Sequence, residues 1–132
     1  MNRKLLLVIA LLYLPGGFAQ QSPESSPIGY ASIEEAFDAL ENDQSATMTL
    51  YEGWTIFNQK NNGVYVIWSF TSADHPTHPT VVRREIVKRG DEISIKMDAL
   101  CHSSRLDCDQ LMAEFEKINA RIKQSQSGVS GQ

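Results

Sequence analysis

The sequence predicts an α+β domain: an antiparallel meander of about five strands, packed by an N-terminal and a C-terminal helix and closed by one disulfide. Three observations carry this. Apolar residues recur at helical spacing near each end of the chain. Between them lie five β-prone runs with period-two alternation, separated by short turn signals. The two cysteines, Cys101 and Cys108, sit where the last of these runs gives way to the second helical pattern.

The first segment sets the expected compartment. Arg3 and Lys4 precede an apolar run over residues 5–14, the helix-breaking Pro15-Gly16-Gly17, and small residues at Gly17 and Ala19. This is the three-part build of a secretory signal peptide, expected over residues 1–19 and cleaved near Ala19. A run of about ten residues is too short for a bilayer, which takes about 20. No second long apolar segment follows, so the expected product is soluble, periplasmic or secreted, without stable membrane insertion. Cleavage removes two of the 12 basic residues and none of the 16 acidic ones, which takes the net charge from −4 to −6. Such a domain has no electrostatic reason to seek nucleic acid or an anionic membrane.

Residues 20–29 are rich in Ser, Pro and Gln and read as a flexible leader. Residues 124–132 have a similar character and read as a disordered tail. One domain is expected over residues 30–123.

The first helix is expected over residues 33–41. Ser32 can cap it, with Glu35 placed for a capping box. Ile33, Ala36, Phe37 and Leu40 share one face. Strands are expected at residues 46–51, 54–59, 64–70, 81–88 and 92–98. Glu52-Gly53 marks a tight break, Lys60-Asn61-Asn62-Gly63 a hairpin and Arg89-Gly90-Asp91 a turn, because Asn and Gly accept the positive φ such turns need. Val64, Val66, Trp68 and Phe70 alternate with Tyr65, Ile67 and Ser69. Ile93, Ile95 and Met97 alternate with Ser94, Lys96 and Asp98. The last helix is expected over residues 106–123, capped by Ser103 or Ser104, with Cys108, Leu111, Met112, Phe115, Ile118 and Ile122 as its apolar stripe. Short connections favour a meander, with one sheet face taking both helices and the other facing water.

In an oxidising compartment Cys101 and Cys108 are expected to pair. A metal site needs more ligands than a lone C-x6-C supplies. The bond would tie the start of the last helix to the chain leaving the last strand.

Three places carry candidate chemistry. The first is the Pro-stiffened loop Asp74-His75-Pro76-Thr77-His78-Pro79, with His102 as a third imidazole. It offers an acid–base pair in principle, but the spacing matches no zinc pattern. The second is the aromatic set Tyr51, Trp54, Phe57, Tyr65, Trp68 and Phe70. Alternation cannot bury all six together, so Phe57 and Tyr65 are expected on the outer face as a binding patch. The third is Arg83-Arg84 with Lys88 and Arg89. It is read as the solvated face of a strand, with an anion site as the alternative. No nucleophile elbow, phosphate loop or H-E-x-x-H helix is present in the sequence.

Gly53-Trp54-Thr55-Ile56, Trp68-Ser69-Phe70, His75-Pro76 with Pro79, Val81-Val82-Arg83-Arg84, Met97 with Leu100-Cys101, and Cys108 with Leu111 and Phe115 together resemble a group of small exported proteobacterial proteins. The resemblance covers about residues 30–122. The group has no established activity, and some members carry a DnaJ-type chaperone label. That label requires a His-Pro-Asp tripeptide between two helices. Here the tripeptides are His75-Pro76-Thr77 and His78-Pro79-Thr80, flanked by strands, so the resemblance implies export and a disulfide but no mechanism.

The expected function is a non-enzymatic binding module of the bacterial envelope, of inhibitor, immunity or accessory type. It would act without a catalytic residue, metal or cofactor. Its expected partner is another envelope or secreted protein, met through His75, Pro76, His78, Pro79, Phe57, Tyr65, Arg83 and Glu85. Two alternatives stand beside it. One is a small metal- or His-dependent hydrolase using Asp74, His75, His78 or His102. The other is a small-ligand carrier, which needs a cavity between helices and sheet.

Overall fold

The computed structural model describes Gly16 and residues 26–127. The predicted signal peptide, apart from Gly16, most of the predicted leader and the last five residues of the predicted tail lie outside them. Helix α1 (Ile33–Glu41) is followed by strands β1 (Ala46–Tyr51), β2 (Trp54–Asn61), β3 (Val64–Phe70), β4 (Thr80–Arg89) and β5 (Glu92–Cys101), then helix α2 (Arg105–Ser127). The strands form one antiparallel sheet in sequence order. This is the α+β meander with two helices and one disulfide that the sequence predicts.

Local chemistry sets the element ends. Ser32 Oγ accepts from the Glu35 amide at 3.1 Å, and the Glu35 carboxylate accepts from the Ala31 amide at 2.9 Å. Two free amides at the start of α1 are thereby satisfied. Glu52 and Gly53 both have positive φ, as do Asn62 and Gly63. Each pair makes a two-residue hairpin of the mirror-image type that matches strand twist. Ser104, not Ser103, caps α2: its Oγ accepts from the Asp107 amide at 3.1 Å. Past the predicted end at Lys123, α2 runs on to Ser127.

The Asn62-Gly63 turn fixes register and so decides which aromatics are buried. It pairs Phe57 with Trp68, and both face α1. Phe57 is 2 % exposed, which corrects its expected place on the outer face. Its ring meets Phe37 of α1 and Phe70 edge-on, at 5.4 and 5.8 Å between centroids. Ile28, within the predicted leader, is buried in the same cluster as Ile33, Ala36 and Leu40.

The helices lie on opposite faces of the sheet, not on one. Val81 and Val82 are consecutive and both fully buried. Consecutive strand residues point to opposite faces. Val81 joins the α1 core, whereas Val82 packs with Leu111 and Phe115 of α2, flanked by Trp54, Met97, Ala99 and Met112. The predicted alternations are individually correct. Register, however, pairs Trp68 with Arg83 and Arg84 with Met97. The apolar set of β3 therefore lies under α1 and that of β5 under α2, giving three layers.

A polar chain anchors the α1 core. The Trp68 indole donates to Gln59 Oε1 at 2.8 Å, and Gln59 Nε2 donates to Asp43 at 2.7 Å. The hydroxyl and amide of Ser45 also donate to Asp43, at 2.7 and 2.8 Å. These bonds favour the carboxylate and hold its pKa below the ordinary value. A carboxyl with a lowered folded pKa stabilises above its unfolded pKa and loses that contribution as pH falls through the folded one. The wild-type melting temperature is therefore expected to fall more steeply than that of Asp43→Asn below about pH 4, the unfolded range for Asp. Thermal melts across that window check it; parallel curves would remove Asp43 from the account.

Cys101 and Cys108 are bonded, with Cα atoms 6.1 Å apart. The bridge joins the end of β5 to the first turn of α2. Closing so short a loop is worth about 2–3 kcal/mol on chain-entropy grounds. The Cys101→Ser/Cys108→Ser variant should lose that amount in urea unfolding. Reductant should lower the wild-type midpoint toward the variant's and leave the variant's own midpoint in place.

Candidate functional site

The His-Pro loop is built inward on itself. Thr71 and Thr80 close its base: the Thr71 amide donates to the Thr80 carbonyl, and the Thr80 amide to Thr71 Oγ1, each at 3.0 Å. His75 Nδ1 accepts from the Thr77 amide at 3.1 Å and lies 2.9 Å from its hydroxyl. His78 Nδ1 lies 2.9 Å from Thr71 Oγ1. The His78–Pro79 bond is cis. The two histidines part company. His75 meets the Trp54 ring on the α2 side, at 5.0 Å between centroids. His78 and Pro79 border a hollow beside Ile33 and Phe37 on the α1 side. His102 meets the loop through its backbone amide, which donates to the Pro79 carbonyl at 3.1 Å. Asp74, Pro76 and His78 are exposed. Among the described residues no group of three or more His, Cys, Asp or Glu side chains is placed to hold a metal ion.

The remaining predicted contact residues do not form one patch. Tyr65, 47 % exposed, stands on the α2 face with the Lys60 ammonium 5.1 Å from its ring centre. Arg83 and Glu85 share the α1 face. Arg83 pairs with Glu85 at 3.1 Å and lies 5.4 Å from the Trp68 ring centre. Phe57 is inside the core.

Two features were not singled out from the sequence. The first is the β1 edge. Among the described residues β1 pairs with β2 alone, so beyond the Ala46 amide, which donates to the Asp43 carbonyl, its other edge presents backbone donors and acceptors that no described strand pairs. It carries no charge and no proline, and Met48, Leu50 and Tyr51 are 52, 71 and 62 % exposed. The opposite edge, β5, carries Lys96 and Asp98, which protect it.

The second is a cavity of about 430 Å³ between α2 and the sheet. Trp54, Ile56, Leu111, Phe115 and Ile118 give it apolar walls, and Ser69, His75 and Arg84 add polar groups. Glu52 and Glu114, both exposed, border it. Arg84 departs from its expected place on a solvated face: it is 7 % exposed. Its guanidinium stacks on Phe115 at 5.0 Å and donates one long bond, 3.4 Å, to Asn119 Oδ1. Its Nε is buried without a hydrogen-bond partner among the described residues. Among the described residues no carboxylate oxygen lies within 4.0 Å of it. Burial pushes its pKa below the ordinary arginine value, yet arginine stays charged at neutral pH.

Among the described residues no helix is long and apolar enough to cross a membrane. Compared with known proteins, the chain matches no family model, no curated sequence and no solved structure at a significant level.

Proposed function

We propose that this chain is an exported, non-enzymatic binding module that docks on another protein of the envelope, and that it does so by adding an extended segment of that protein to the β1 edge. The carrying observation is the uncharged edge strand β1, paired on one side by β2, with three large apolar side chains in solvent. Strand addition supplies affinity through main-chain hydrogen bonds, while alternate side chains select the partner. The exported setting rests on the predicted leader, and the Cys101–Cys108 bond is compatible with it.

The test compares wild type with Leu50→Lys and Tyr65→Ala. Both sites are exposed, so both variants should stay folded. Wild type and Tyr65→Ala should retain a partner from envelope extract, and the β1 amides should gain hydrogen-exchange protection in the complex. Leu50→Lys should release the partner. Equal capture by all three proteins, or protection confined to the His-Pro loop, would overturn the assignment. A concentration-dependent dimer in light scattering, abolished by Leu50→Lys, would replace the foreign partner with a second copy.

A further inference from the structure

The cavity between α2 and the sheet lies on the opposite side of the sheet from the α1 core; Tyr51, at the end of β1, also lines it, but its charged group, Arg84, belongs to β4 and takes no part in strand addition at β1. An arginine only 7 % exposed, whose guanidinium makes one long hydrogen bond among the described residues, is an unusual thing to build. Buried charges are ordinarily paired and buried donors ordinarily satisfied. Here Nε has no partner among the described residues, and stacking on Phe115 satisfies none of the N–H groups. The fork of donors matches a carboxylate or a phosphate, either of which can take two parallel bonds at once. The walls are apolar and the volume falls within the range of small-molecule sites. Glu52 and Glu114 on the border disfavour a second negative charge on the same ligand, and with it dianions such as phosphate.

We infer that this cavity binds a monocarboxylate with an apolar body, its carboxylate on Arg84 and its body against the wall of Trp54, Phe115 and Ile118, where the two rings already touch edge-on at 5.8 Å between centroids. The same chemistry is offered by a free small acid and by the C-terminal carboxylate of a peptide ending in an apolar residue. Those two sources are separated by the arms of the test.

The folded protein, 15N-labelled, is titrated with phenylacetate, phenylacetamide, inorganic phosphate and an acetylated tripeptide ending in phenylalanine, with and without C-terminal amidation. Phenylacetate should move the Arg84 Nε–Hε and Trp54 indole resonances in a saturable way, and the Trp68 indole, on the other face, should stay still. Phenylacetamide and phosphate should bind at least tenfold more weakly. Arg84→Gln should cost roughly tenfold to a hundredfold in affinity, the range for losing charge-assisted hydrogen bonds. Glu114→Gln, at an exposed position, should tighten binding and acts as a control that does not depend on refolding around a buried change. Tighter binding of the free-acid tripeptide than of phenylacetate would make the source a chain terminus; the reverse order would make it a free acid. Equal shifts with acid and amide, or no saturation by about 10 mM, a millimolar-weak limit, would overturn the inference. So would unchanged affinity in Arg84→Gln with a wild-type spectrum elsewhere.

Discussion

Phe57→Ala is expected to destabilise the fold by about 3–5 kcal/mol, the usual cost of deleting a fully buried phenyl ring. The site cannot collapse easily. Phe57 is held between Phe37 of α1 and Phe70 of the sheet, and Met48 and Trp68 lie opposite it on the neighbouring strands. Removing it also strips edge-on aromatic contacts that add to the area term. A domain of this size has about 5–15 kcal/mol in total, so the midpoint in urea should fall by a large fraction. Tyr65→Ala, at the other residue expected on the outer face, should cost about 1 kcal/mol or less, because nearly half of that side chain is already in water. Urea unfolding followed by far-UV circular dichroism reads both. Similar losses in the two variants would mean that the β2–β3 register is not the one described.

The contrast between these two residues shows what a single sequence carries. Features decided within a few residues were legible. Ser32 with Glu35 capped α1 as expected, and Asn62-Gly63 turned the chain where the positive-φ preference places a turn. The number and order of strands followed from spacing and short connections. What was hidden is the relation between strands. Alternation says which residues of a strand share a face, but not which face that is. The apolar sets of β3 and β5 could be placed together or apart only by counting through both hairpins, and register puts them apart. The β2–β3 pairing of Phe57 with Trp68 buries Phe57 in the same way, and with the β3 and β5 sets on opposite faces, each face is covered by a helix.

Arg84 was hidden for the same reason, although a signal existed. In Val81-Val82-Arg83-Arg84-Glu85-Ile86-Val87 the two arginines look alike. Arg83 is in phase with Val81 and Glu85. Arg84 is in phase with Val82 and Ile86, and its cross-strand partner is Met97 between Ile95 and Ala99. An arginine in the middle of an apolar stripe is the readable anomaly. The β1 edge was legible in composition, since residues 46–51 lack any charge, but its edge position depends on where the meander begins.

Replacing Arg84 and Asn119 together by Met and Leu is expected to stabilise the fold by about 1–4 kcal/mol, the range seen when buried ionic groups give way to apolar residues of similar volume. The single changes should behave differently. Asn119→Leu removes the one hydrogen bond the guanidinium makes among the described residues and should cost about 1–3 kcal/mol. Arg84→Met removes the charge but leaves Asn119 Oδ1 buried with no donor, so gain and loss should nearly cancel. The double-mutant cycle therefore has a predicted sign: the pair is more stable than the sum of the singles, with the wild-type combination below the apolar one. Thermal and urea unfolding of the four proteins measure it. If the apolar pair is the less stable one, the arginine is holding α2 onto the sheet, and its place beside the cavity has a structural cause. If it is the more stable one, Arg84 is a group that folding disfavours and that carboxylate recognition needs. The stabilised protein should then also lose its response to phenylacetate, because one guanidinium accounts for both the stability cost and the charge at the site.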